Sequence, residues 1–124
     1  MTISYTSPSL FVAGEWIART GRMAPIYNPA TGAKIGDMPL ADAAIIDRAL
    51  AAADAGFEIW RKTPLAERAR LMKDAAVRLR ARMDEAVAHL TMEQGKPVGE
   101  ARSELENCAL LLEWCPEEAG RVTD

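Results

Sequence analysis

The sequence predicts a mainly α-helical chain headed by a β-hairpin, and three observations carry that prediction. Apolar residues recur at spacings of three and four over most of the stretch from Asp42 to Cys115. Two short β-prone runs, Leu10-Phe11-Val12 and Glu15-Trp16-Ile17, stand on either side of Ala13-Gly14. Gly and Pro fall where helices must stop, above all in Glu93-Gln94-Gly95-Lys96-Pro97. There a Gly just past one helix supplies a left-handed cap, and the Pro cannot continue the ladder.

Taken in order, residues 1–9 carry Ser, Thr and Pro without periodicity and read as a flexible leader. A hairpin is expected over 10–18, although its turn has Ala where Asn-Gly would be the stronger two-residue signal. Short strands follow within 23–38, broken by Asn28-Pro29-Ala30-Thr31-Gly32, which is dense in turn formers, and ended by Pro39. Asp42 is the expected N-cap of a helix over about 42–60, in which Ile46, Leu50, Ala53, Phe57 and Trp60 make one buried stripe. Thr63 is expected to cap a second helix over 64–82, with Pro64 in the first position, where its missing N–H costs nothing. The stripe of that helix runs through Leu71, Ala75, Leu79 and Met83. A break near Arg82 to Asp84, with Asp84 as a fresh cap, sets off a third helix over 84–94. The fourth spans 99–115 with a near-heptad stripe of Ala101, Leu105, Cys108, Leu112 and Cys115, and Pro116 is expected to kink or stop it. Trp16, Trp60 and Trp114 end or join apolar stripes and read as core anchors.

Composition bounds the class. A chain of 124 residues with 49% hydrophobic and 27% charged residues is one ordinary globular domain's worth. A net charge of −3 gives no large positive field, so neither nucleic acid nor a membrane surface is an expected partner. The cations of the second helix interleave with Glu67, Asp74, Asp84 and Glu85, which marks a solvated face rather than an RNA-binding one. No run approaches the roughly 20 apolar residues of a membrane helix, and Met1 to Leu10 lack the basic start and apolar run of a secretory signal. The two cysteines, Cys108 and Cys115, sit seven apart on a predicted helix. Two turns span ~10 Å, more than the about 7 Å that a disulfide allows between α-carbons. Reduced thiols and a cytoplasmic setting follow as the expectation.

The residues alone reveal no reaction. His89 lies four positions from both Glu85 and Glu93, but with no His-Glu-x-x-His pattern the three read as a solvated face rather than a metal site. Neither cysteine has a nearby basic partner in sequence, so neither is nominated as a nucleophile. No Gly-x-Gly-x-x-Gly or phosphate-loop pattern occurs. The chain therefore offers no catalytic and no cofactor-binding residue.

In combination, the hairpin Leu10 to Trp16, Asn28-Pro29-Ala30-Thr31-Gly32, Phe57 with Trp60, Glu67-Arg68, Glu93-Gln94-Gly95-Lys96-Pro97 and Glu113-Trp114 carry a resemblance. In order and spacing the chain resembles the N-terminal segment of NAD(P)-dependent aldehyde dehydrogenases, most closely the succinate-semialdehyde type. The resemblance implies an α/β parent fold with a Rossmann-type parallel sheet, of which this segment is the mainly helical N-terminal part of the cofactor-binding domain. In that family a cysteine attacks the aldehyde, hydride passes to NAD or NADP, and a glutamate-activated water releases the carboxylic acid. The chain stops before the positions of that cysteine, that glutamate and the nucleotide-binding units, so alone it is expected to be inactive and to bind no cofactor. Partners implied for the full-length enzyme are the remainder of the chain, further copies in a homo-oligomer and a small-molecule aldehyde. Two roles carry over by residue: main-chain carbonyls of Ile26 and Tyr27 with the Glu93 carboxylate around a monovalent cation, and Ser103 with Asn107 at the substrate entrance. The alternative, from the residues alone, is a free-standing helical protein-interaction module whose exposed apolar stripes bind a partner.

Overall fold

The computed structural model describes residues 4–122. Met1 to Ile3, part of the stretch expected as a leader, lie outside the described residues. Two compact units divide the chain, Met1–Arg61 and Lys62–Asp124.

In the first unit, β1 (Leu10–Val12) pairs antiparallel with β2 (Glu15–Ile17), bringing Phe11 opposite Trp16 with ring centroids 4.7 Å apart. The two-residue turn between them needs positive φ at both positions, and Ala13 at 53° and Gly14 at 84° supply it. Trp16 is thus a cross-strand partner, 73% exposed, and not the core anchor its place in an apolar run suggested. β3 (Met23–Tyr27) and β4 (Lys34–Pro39) form a second antiparallel pair, whose register shifts between Ile26 and Tyr27. The connecting turn is built on Asn28: its Oδ1 accepts the Ala30 N–H at 2.9 Å, its carbonyl accepts the Gly32 N–H at 2.8 Å, and Gly32 takes φ 70°. The residues before β1 are tied to β4, since the Asp37 N–H donates to Ser7 Oγ at 3.3 Å.

α1 (Ala43–Trp60) starts as its cap dictates, with Asp42 Oδ1 accepting the Ile45 N–H at 2.9 Å. It meets β1 through Arg48, whose Nη2 donates to the Val12 carbonyl at 3.4 Å and pairs with Glu15 at 3.2 Å. The apolar stripe of α1 exists, but it is not buried: Ile46, Leu50, Phe57 and Trp60 are all 42–64% exposed, and no residue of the helix is buried. Periodicity places a stripe on one face, while burial requires something to cover it.

The second unit is helical: α2 (Leu65–Ala81), α3 (Met83–Gln94) and α4 (Val98–Val122). Pro64 itself stands at the cap of α2, one place after the Thr63 expected there. A single non-helical residue, Arg82 at φ −114° and ψ 18°, separates α2 from α3. Asp84 lies inside the first turn of α3 instead of capping it, and pairs with Arg102 of α4 at 2.6 Å. Gly95 ends α3 in the left-handed region at φ 71°, its N–H donating to the Thr91 carbonyl at 2.8 Å.

α4 packs on both α2 and α3. Met83, Val87 and Ala101 form the core, with Leu90 and Leu105 against them, and Ala76 and Ala109 are fully buried. Two stripes differ in phase from the sequence expectation. On α2 the inner residues are Met72, Ala76 and Leu79, leading to Met83, while Leu71 and Ala75 are exposed. On α4 the inner row is Ala101, Leu105, Ala109, Leu112 and Pro116, and both Cys108 and Cys115 are exposed. A strict seven-residue repeat drifts by ~20° per heptad on a straight helix, so the row that stays inward follows a 3.6 period. α4 runs through Pro116 to Val122, beyond the 99–115 span and the stop expected at Pro116. The reason is that the Pro ring is buried in phase with that inner row. Lys73 of α2 then pairs with Glu117 just past it, at 3.1 Å.

Candidate functional site

α4 carries an apolar hollow. A groove of about 450 Å³ is lined by Asn107, Leu110, Leu111 and Trp114, spaced three, one and three apart and so gathered on one face. The three apolar side chains are each a little over half exposed, which corrects Trp114 from core anchor to groove wall. Asn107 is the groove's single polar side chain, an amide that both donates and accepts. Ser103 lies one turn earlier and is not part of the lining. It is exposed, and its hydroxyl donates to the Gly99 carbonyl of its own helix at 3.1 Å. Of the two residues implied at a substrate entrance, the structure thus brings Asn107 to a concave surface and leaves Ser103 on the rim side.

The α4 helix is held on α2 by Arg80, which donates through Nε and Nη2 to both oxygens of Glu113 at 3.2 and 2.9 Å. That bidentate contact holds the Glu113 carboxyl below its ordinary value, and the Arg80 charge adds to the effect. Lys96 pairs with Glu104 at the other end of the helix. The groove therefore sits on an element fixed at both ends. Its chemistry is that of a wall: apolar contact plus one hydrogen-bonding amide.

A second hollow of about 300 Å³, at the α2–α3 junction, is lined by Arg78, Leu79, Arg82, Glu85, Ala86 and His89. Here Arg82 already holds Glu85 through two 2.9 Å bonds, which lower the carboxyl's pKa, with the nearby His89 a smaller contributor. Among the described residues no three His, Cys, Asp or Glu side chains gather as a metal site. Ile26 and Tyr27 end β3 where its register shifts, and Glu93 is exposed in the last turn of α3. Nor do the described residues provide a dinucleotide cradle. The strands pair only as antiparallel hairpins, with no glycine-rich strand-to-helix turn to receive a pyrophosphate.

Two antiparallel hairpins precede α1 in the first unit, and three helices ending in the long α4 make up the second. A sequence description of the aldehyde dehydrogenase family matches residues 16–124. The chain belongs to the aldehyde dehydrogenase family. It is 39% identical, over 98% of its length, to 26% of the 4-(hydroxymethyl)benzenesulfonate dehydrogenase TsaD1 of Comamonas testosteroni. It is also 39% identical, over 90% of its length, to 23% of the succinate semialdehyde dehydrogenase of Acinetobacter baylyi. The NADP-dependent glyceraldehyde-3-phosphate dehydrogenase of Bacillus halodurans C-125, solved in complex with NADP, superposes with a TM-score of 0.89 at 26% identity, over 94% of this chain and 25% of that one. The chain thus spans about a quarter of the length of the relatives it matches. No helix among the described residues is long and apolar enough to cross a membrane.

Proposed function

We propose that the 124 residues are the N-terminal part of the cofactor-binding domain of an NAD(P)-dependent oxidoreductase that converts an aldehyde, such as succinate semialdehyde, to a carboxylic acid. The observation that carries this reading is the match over nearly the whole chain to one quarter of enzymes four times as long. The nicotinamide cofactor accepts the hydride when bound to the full-length enzyme. The residues of this chain take no step in that transfer: they supply scaffold and one wall of the substrate entrance. Asn107, with the groove formed by Leu110, Leu111 and Trp114, and Ser103 one turn away, border that entrance. The catalytic cysteine and glutamate lie outside the chain, and Cys108 and Cys115 do not replace that cysteine. The full-length protein works in the cytoplasm as a homo-oligomer.

The test is a fusion in which residues 1–124 replace the matched quarter of the Acinetobacter relative. Aldehyde-dependent NAD(P)H formation by the folded fusion, with none from the isolated chain, is the expected result. Activity in the isolated chain, or a folded fusion without any, overturns the reading.

The family resemblance implies that the carbonyls of Ile26 and Tyr27 and the carboxylate of Glu93, each an oxygen donor, serve a hard monovalent cation in the full-length enzyme. The register shift at Ile26 and Tyr27 supports this, because a bulge takes backbone groups out of the regular ladder. Replacing sodium or potassium with a bulky organic cation is expected to lower the melting temperature of the fusion. An unchanged value overturns the assignment.

A further inference from the structure

The hollow at the α2–α3 junction takes no part in the function proposed above, yet its lining carries an unbalanced charge. Its residues, Arg78, Leu79, Arg82, Glu85, Ala86 and His89, all belong to the second unit, so its walls are set within one compact body. Glu85 accepts two 2.9 Å bonds from Arg82, and that ion pair cancels inside the hollow. The Arg78 side chain is exposed and makes no hydrogen bond or ion pair among the described residues. With His89 neutral the lining therefore sums to one positive charge, and Arg78 is where that charge is free to act. Leu79, Ala86 and His89 are half-buried, which adds apolar carbon and a flat ring to the same hollow. Its volume of about 300 Å³ stands at the small end of ligand clefts, which run from about 300 to 1,000 Å³.

We propose that this hollow is a binding site for a small monoanion with an apolar body, of the aromatic carboxylate class. Each part of the lining selects one feature of that ligand. The Arg78 guanidinium, a planar fork of donors, matches a carboxylate through two parallel N–H···O bonds. One uncompensated cation suits one negative charge, and the Glu85 carboxylate, already held by Arg82, repels a second. Leu79 and Ala86 favour a ligand with carbon to bury over an inorganic ion. Such a ligand touches α2 through Arg78 and Leu79 and α3 through Ala86 and His89, spanning Arg82, the single non-helical residue that joins the two helices. Because it binds only the folded pair, it stabilises that joint. The site uses residues of this chain alone and does not depend on the enzyme reading.

His89 is the chain's single histidine, so its ring C–H proton resonances report on the hollow without assignment of any other residue. The 124-residue chain is titrated at neutral pH and low ionic strength with benzoate, with benzamide as its uncharged analogue, and with acetate and inorganic phosphate as anions that lack the apolar body. Benzoate is expected to shift the resonances saturably, with a dissociation constant of about a millimolar. The other three should bind about ten times more weakly or less. Arg78→Gln should weaken benzoate about tenfold, the loss of one charge-assisted contact, whereas Arg22→Gln, at an exposed arginine of the first unit, should leave it unchanged. In the fusion with the Acinetobacter relative, benzoate should raise the melting temperature, and by less when Arg78→Gln is present. The absence of a saturable shift overturns the site, as does benzamide, acetate or phosphate binding as tightly as benzoate. So does an Arg78→Gln chain or fusion whose response to benzoate is undiminished. None of these readouts is an activity, so the site stands or falls apart from the enzyme reading.

Discussion

Ala13 is held at φ 53°, in the left-handed region that costs an L-residue roughly 1–2 kcal/mol and glycine almost nothing. Ala13→Gly is therefore expected to stabilise the first unit by about 0.5–1 kcal/mol, seen as a higher denaturation midpoint. A lower midpoint would mean that the methyl group contributes more than the strain costs. Single residues were legible wherever one side chain or one backbone conformation does the work. Asp42 as a cap, the turn over Asn28-Pro29-Ala30-Thr31-Gly32, and Gly95 as a left-handed stop all rest on neighbours within four positions. Asp84 was misread because its carboxylate has a choice that sequence conceals: Arg102, eighteen residues away, takes it from the helix end. The groove on α4 was not foreseen as a groove. Asn107 came from the family resemblance, but Leu110, Leu111 and Trp114 belong to a helix with apolar residues on two sides, and periodicity does not say which side is already occupied.

Whole elements were legible in kind and less so in rotation. Leu71 and Met72, like Ala75 and Ala76, are adjacent apolar pairs, so α2 can turn by one residue and still present an apolar stripe. Contact with α4 decides in favour of Met72 and Ala76. The same contact lets α4 pass through Pro116. A proline in a helix interior costs ~3 kcal/mol, of which burial of its ring recovers roughly 1–2 kcal/mol. Pro116→Ala should raise stability by about 1–2 kcal/mol in chemical denaturation. A fall would show that the ring's packing outweighs the lost hydrogen bond. The ion pairs add a pH dependence whose sign is fixed by their carboxylates. Glu67, Glu85 and Glu113 are lowered from the ordinary value first by hydrogen bonds from Arg70, Arg82 and Arg80 respectively. Depressed folded values mean that this contribution is complete above the unfolded pKa of about 4.3 and disappears as pH falls through the folded values. The melting temperature should hold between pH 7 and roughly 5, then fall below about 4. Glu113→Gln should make the acid fall shallower, and added salt should weaken the ion-pair contribution, since these pairs are exposed. An acid limb unchanged by Glu113→Gln would remove the α2–α4 pair from the account.

At the scale of the molecule, helix content and hairpins were legible, but the extent of burial was not, because periodicity assigns faces without saying whether a chain is long enough to cover them. The accessible surface is 8745 Å² for 13.5 kDa. A compact monomer of that mass exposes about 6,500 Å², and even two separate compact bodies of half the mass would expose about 7,900 Å². The excess includes side chains such as Leu50, Phe57 and Trp114, which sequence patterning marks as interior and which are exposed here. A fold with this little buried apolar area has a small enthalpy and heat capacity of unfolding, so its transition is wide. The isolated chain is accordingly expected to lose its helix signal in a broad thermal transition by circular dichroism. Millimolar NAD+ should leave that transition where it is, because a ligand raises melting only by binding the folded state, and no dinucleotide cradle occurs among the described residues. In the fusion with a longer relative the same helices should melt cooperatively and at a temperature that NAD+ raises. A sharp, NAD+-sensitive transition in the 124 residues alone would place a nucleotide site within them and reassign the segment from scaffold to cofactor binding.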